Sequence, residues 1–145
     1  MGDIAAPGRP WHLWLVGVLS ALWNSVGAFD YTMTQTRNPA YLAQFTPEQL
    51  DYFASFPAWA TGAWALGVWG AVAGSLLLLF RSRWAVQAFG IALAGLAGTT
   101  LFEVTANQPA SLSTTSAWLF LASIWAITAL LLWYALRMRA RAVLR

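Results

Sequence analysis

Apolar positions fall into four long runs along the chain, residues 11–29, 58–80, 84–104 and 116–138, separated by shorter polar stretches. Each run has about 20 residues, and a helix rising roughly 1.5 Å per residue then crosses a hydrocarbon core of about 30 Å. None of the runs alternates with the period of a barrel strand. Lipid offers backbone N–H and C=O groups no partner, so helices are the way these runs can span it. The pattern predicts an all-α membrane protein with four transmembrane helices in one domain over residues 1–145. Residues 1–10, with Pro7, Gly8 and Pro10, read as an irregular polar leader. A cleaved signal peptide is the rival reading of the first run. Its length and the bulky Trp11, Trp14 and Trp23 favour an uncleaved span.

Between the first two runs lies a polar connection, residues 30–57, with its own helix signals. Thr46 suits an N-cap, Pro47 the first helical position, and Gln49 the third position of a capping box. Phe45 and Leu50 suit the two sides of a hydrophobic staple. These features predict a short amphipathic interfacial helix over 46–56, stopped by Pro57, with Leu50, Phe53 and Ala54 on one face and Tyr52 and Phe56 flanking it. Such a helix can lie on the membrane surface or close over a pocket.

Composition agrees with the pattern: the chain is 59% hydrophobic and 9% charged, against about 25% charged in a soluble domain. The net charge of +3 is too small, on too apolar a chain, to argue for nucleic acid. Cys is absent, which excludes disulfides, thiolate metal sites and a Cys nucleophile. Charge placement adds an orientation. Arg9, Arg81, Arg83, Arg137, Arg139, Arg141 and Arg145 fall on one side of the four runs and Arg37 alone on the other. By the positive-inside rule both termini are expected in the cytoplasm. Asp30, Glu48, Asp51 and Glu103 then collect on the outer side.

Candidate chemistry is sparse. Gly67, Gly70 and Gly74 on the second run and Gly95 on the third mark helix-packing stripes, since small residues let membrane helices approach closely. Asn24 sits inside the first run, where an unpaired amide is costly. Thr99, Thr128 or a backbone carbonyl are its expected partners, and lining a small polar cavity is the other option. Asp30 and Glu103 are expected at the outer helix ends as solvated carboxylates, with Arg37 available to pair Asp30. The functional alternative is a cation- or polar-ligand site shared by Asn24, Asp30, Tyr31, Gln35 and Glu103, with Asn107 and Gln108. The single His, His12, lies on the opposite side from both carboxylates, so no Ser-His-Asp set, His-rich metal site or haem pair is available. No cofactor or metal is expected.

The residues Trp23-Asn24, Gly27, Asp30-Tyr31 and Thr34-Gln35 look like those of a family of small bacterial four-span inner-membrane proteins. The likeness continues through Tyr41-Leu42, Phe56-Pro57-Ala58-Trp59, Gly74-Ser75-Leu76-Leu77-Leu78-Leu79 and Arg83-Trp84-Ala85. It covers about residues 11–100. The family is uncharacterised and sometimes loosely labelled as sugar transporters. The resemblance implies a multi-pass protein of the bacterial inner membrane and transfers no binding residues. The favoured expectation is a non-enzymatic accessory or scaffold subunit. Its partners would be membrane lipids and either other membrane subunits or further copies of itself. The alternative is a small polar-solute or cation transporter acting as an oligomer.

Overall fold

The computed structural model describes residues 8–145, and the predicted leader falls outside it at residues 1–7. Six helices follow in order: α1 (Trp11–Gln35), α2 (Pro39–Leu42), α3 (Pro47–Ala54), α4 (Ala58–Leu79), α5 (Ala85–Thr105) and α6 (Thr115–Ala140). Among the described residues there is no strand. Four helices, α1, α4, α5 and α6, are long and apolar enough to cross a membrane, which makes this an all-helical, multi-pass membrane protein.

The helix α1 runs two turns beyond the apolar run that predicts it. Thr32 bonds back to the Ala28 carbonyl at 2.7 Å and Thr36 to that of Thr32 at 2.7 Å, so polar residues continue the helix past Phe29. Asp30, Tyr31 and Gln35 are therefore helical, not part of the loop. The connection also holds the short α2, capped by the Asn38 side chain on the Tyr41 N–H. The capping box of α3 forms as its sequence indicates: Gln49 N–H donates to Thr46 Oγ1 at 3.3 Å and Thr46 N–H to Gln49 Oε1 at 3.0 Å. The helix stops at Ala54, short of the expected Phe56, because the Ser55 N–H donates to the carbonyls of Asp51 and Tyr52 and the Phe56 N–H to that of Phe53, closing the last turn. Its buried residue is Tyr52, while Ala54 is exposed.

Three helices end in Schellman turns with no glycine in the left-handed position. Arg37, Arg81 and Ala142 take φ of 53°, 57° and 55°. In each case their own N–H and the next one bond back to carbonyls of the last turn, for example Arg37 N–H to Thr34 O at 3.2 Å and Asn38 N–H to Met33 O at 3.1 Å. The glycines act elsewhere: none among the described residues has positive φ. A Cβ on Gly95 would collide with the Gly67 amide nitrogen and the Ala63 carbonyl oxygen, and one on Gly70 would meet Ala92 N at 3.1 Å. These contacts are backbone against backbone, so α4 and α5 pack closely along their length, with Phe89 over Gly74. The helix α1 packs on α4, and α6 rests on α5.

The two ends of the bundle differ. At the basic end, Leu13, Leu78, Ala85, Phe89, Leu131 and Ala135 form a closed core. His12 Nδ1 and the Tyr134 hydroxyl are bonded at 2.6 Å, tying α1 to α6. The C-terminal residues fold back under the α4–α5 turn: Arg83 N–H donates to Arg145 O at 2.9 Å and Arg145 N–H to Arg81 O at 2.7 Å. Val143 and Leu144 are buried by this clasp. Toward the acidic end α1 and α6 share no extensive interface. The gap there is crossed by the rings of Trp23 and Phe120, 6.0 Å apart.

The helix contact predicts an asymmetric response to added methyl groups. Gly95→Ala is expected to destabilise the protein by about 1–3 kcal/mol, because backbone must move to admit the methyl. Gly62→Ala, with nothing within 4 Å of the new Cβ, is expected to be neutral or slightly stabilising. Thermal unfolding of both variants in the same detergent compares them.

Candidate functional site

A cavity of about 600 Å³ opens among α1, α4, α5 and α6 at the acidic end, beneath α3. Small residues make the room. Gly27 on α1, Gly67 and Ala71 on α4 and Ala92 on α5 line it where larger side chains would fill it. Leu121 and Ile124 of α6 line the far wall.

Asn24, Asp30 and Glu103 all line this cavity. Asn24 is buried at its inner part, and its Nδ2 donates to Ser75 Oγ at 2.9 Å and Ala71 O at 3.2 Å. Of its expected partners a backbone carbonyl, that of Ala71, is used, and Thr99 and Thr128 are not. Each bonds within its own helix, to Gly95 O at 3.0 Å and Ile124 O at 2.7 Å. Ser75 is available because it faces α1 across the small-residue stripe, and its own hydroxyl donates to Ala71 O at 3.0 Å. No protein donor among the described residues meets Asn24 Oδ1.

Asp30 is met by Tyr41 and makes no ion pair with Arg37 among the described residues. The left-handed turn at Arg37 sends the chain back so that α2 places Tyr41 over α1, where its hydroxyl donates to Asp30 Oδ1 and its ring packs edge-on against Phe29. Burial, then the hydrogen bond to Asp30 and the carboxylate charge, push the Tyr41 phenol up to about 12. The neutral, bond-donating form is thereby favoured. The tether contributes fully below the ordinary phenol value of 10.0 and is given up as pH rises from there to about 12.

Glu103 is half-buried and, among the described residues, has no hydrogen bond or ion pair. Beside it stands Tyr52, 8% exposed, whose hydroxyl is buried without a hydrogen-bond partner of normal geometry. Burial pushes the Tyr52 phenol up, the adjacent Gln108 amide offsets part of this, and the Glu103 charge adds to it. Aromatic rings surround this corner. Tyr52 stacks on Phe102 at 6.1 Å, Phe56 lies 4.4 Å from Phe102, and Trp64 is 5.9 Å from Phe56. Gln49 Nε2 reaches Ser111 Oγ at 3.1 Å and fastens α3 to the α5–α6 loop.

Three of the sequence-derived candidates stand apart, among them Asn107, exposed in the α5–α6 loop. Tyr31 packs edge-on against Trp64 at 5.0 Å behind the cavity wall. Gln35 is exposed in the last turn of α1. In their place stand Tyr41 and Tyr52, which join the sequence candidate Gln108 in lining the cavity, all three from connections. Tyr52 carried a faint signal as an aromatic in a capped helix. Tyr41 carried none beyond its proximity to Asp30, because the chain reversal at Arg37 is not written in a glycine.

Comparison with known protein families, with curated proteins and with solved structures finds no match. The functional reading therefore rests on the cavity itself.

Tyr41→Phe is expected to remove a tyrosine ionisation near pH 12 and to free the loop from α1. Trypsin cleavage after Arg37, the sole basic residue of that connection, should then be faster than in the wild type under identical conditions.

Proposed function

We propose that this chain binds and moves a small cationic or polar solute through the acidic-end cavity, as a multi-pass protein of the bacterial inner membrane. The observation that carries the reading is that Asn24, Asp30 and Glu103 share one cavity. Intramembrane polar groups are costly and are kept where they pair or serve a pathway. Glu103 pairs with nothing among the described residues.

Arginine placement supports an acidic end on the periplasmic face. Arg9 over Trp14 at 4.4 Å and Arg137 over Trp133 at 5.5 Å suit an interface where cations and indoles meet lipid headgroups. The closed core at the basic end blocks passage through one copy, so movement across the membrane calls for a second copy or an alternate arrangement of α6. The resemblance to a family of small inner-membrane proteins agrees with this location.

The accessory-subunit reading keeps one observation in its favour. The outer face of α6 presents exposed Leu119, Leu130 and Trp133, none of which lines the cavity, and α6 is the least buried of the four long helices. A partner helix fits that face. Affinity purification in mild detergent checks it: reproducible copurification of another membrane protein is the expected result, and elution only as a monomer sinks that reading.

The chain lacks Cys, so single-cysteine labelling tests the solute reading directly. Leu121→Cys, on the cavity wall, is expected to react with a membrane-impermeant cationic thiosulfonate from the periplasmic side, faster than with its anionic counterpart. Leu131→Cys, in the closed end, is expected to stay protected. Asp30→Asn with Glu103→Gln should erase the charge preference. Protection of Leu121→Cys from water-soluble reagents on both sides would overturn the reading.

A further inference from the structure

The proposed solute cavity has a corner whose chemistry is more specific than its charge. Three groups meet there: the unpaired carboxylate of Glu103, the buried and unpartnered hydroxyl of Tyr52, and the amide of Gln108. An orphaned buried hydroxyl costs roughly 1–3 kcal/mol relative to a bonded one. A half-buried carboxylate also lacks part of its hydration. A single visitor that brings a positive charge and N–H donors answers the carboxylate's charge and gives the Tyr52 oxygen a donor.

The groups are acceptors in the right number. Glu103 offers carboxylate oxygens and Tyr52 an oxygen lone pair. Gln108 Oε1 takes the Ser113 hydroxyl at 2.8 Å and keeps a second lone pair. A quaternary ammonium satisfies the charge and leaves the Tyr52 oxygen unbonded. A metal ion is poorly served, since no group of three or more His, Cys, Asp or Glu comes together among the described residues.

The walls define the rest of the visitor. Tyr52, Phe56 and Trp64 line the cavity around this corner, and their π faces favour a cation over a neutral head. Deeper in, the lining turns apolar, with Trp23, Val68, Leu96, Leu121 and Ile124. The volume of about 600 Å³ suits a body of aromatic or branched aliphatic size, since ligand cavities of about 300–1,000 Å³ hold drug-sized molecules.

We infer that the cavity is a site for a protonated primary or secondary amine carrying an apolar body, its ammonium held by Glu103, Tyr52 and Gln108 and its body lying toward Asn24. The inference rests on the solute reading above and narrows it to one ligand class. Asp30, already engaged by Tyr41, adds negative potential at the rim and is not the anchor.

The test uses the full chain in lipid nanodiscs and three probes: phenethylammonium, its trimethylammonium form, and the neutral 2-phenylethanol. Trp23, Trp64 and Trp118 line the cavity, so intrinsic fluorescence reports occupancy. Phenethylammonium is expected to saturate and to bind at least about tenfold tighter than the alcohol, as a charge-assisted hydrogen bond allows. Glu103→Gln should weaken it about tenfold or more. Tyr52→Phe should weaken phenethylammonium while leaving the trimethyl form unchanged. Without probe, Tyr52→Phe should also melt no lower than wild type, because it deletes an orphaned hydroxyl.

Equal binding of ammonium and alcohol, or indifference to Glu103→Gln in a variant with wild-type elution and melting, overturns the amine assignment and leaves the solute cavity standing. Absence of binding by all three probes also overturns it. The broader reading then survives if Leu121→Cys remains reactive and falls if that residue is protected. Should Glu103→Gln fail to fold, the Tyr52→Phe contrast between the two cations decides alone.

Discussion

Everything in this bundle depends on the close approach of α4 and α5. With Gly67 and Gly70 facing Ala92 and Gly95, two backbones meet with no side chain between them. Lipid supplies little hydrophobic drive for helix association, so such contacts must come from van der Waals packing and hydrogen bonds. The pair forms a rigid slab. The helix α1 attaches to its α4 edge through Gly17 and the Asn24–Ser75 bond, and α6 attaches to its α5 edge through Trp125 and Thr100. Because α1 rests on α4 and α6 on α5, with no extensive interface between α1 and α6, a gap between them is the natural outcome. The cavity is that gap, closed at one end by Leu13, Leu131 and Ala135 and left open at the other.

The polar groups divide by role along the cavity. Asn24 is largely consumed in holding α1 to α4. Asp30 is consumed in holding the α2 turn. Glu103 and Tyr52 are used for neither. A fold that needed only stability would replace them with apolar groups at no loss, since an unpaired buried polar group is a net cost. Their lack of a structural role is the ground on which the proposed site rests.

Much of the scaffold was legible in the sequence. The four apolar runs mark the four long helices, because lipid leaves a spanning chain so few options. Thr46, Pro47 and Gln49 announce α3 through local bonds that need no tertiary context. Asn24 announces that it needs a partner, and its depth in an apolar run makes that need plain. Which partner it takes was not legible: Ser75 reaches it through the relative rotation of α1 and α4, which is set by many contacts together. The same holds for Tyr52. Helical periodicity places it beside the face of Leu50 and Phe53, but the docking of α3 onto Phe102 and Phe56 turns it inward. The reversal at Arg37 was hidden because a non-glycine residue takes the left-handed conformation there.

One side chain links the order of α3 to its position. The Gln49 amide completes the capping box with its oxygen and grips Ser111 with its nitrogen. An eight-residue helix is too short to persist in isolation. Its folding and its attachment to the far loop therefore share a single group. Losing the Gln49 side chain would loosen the α3 capping box and its hold on the α5–α6 loop together.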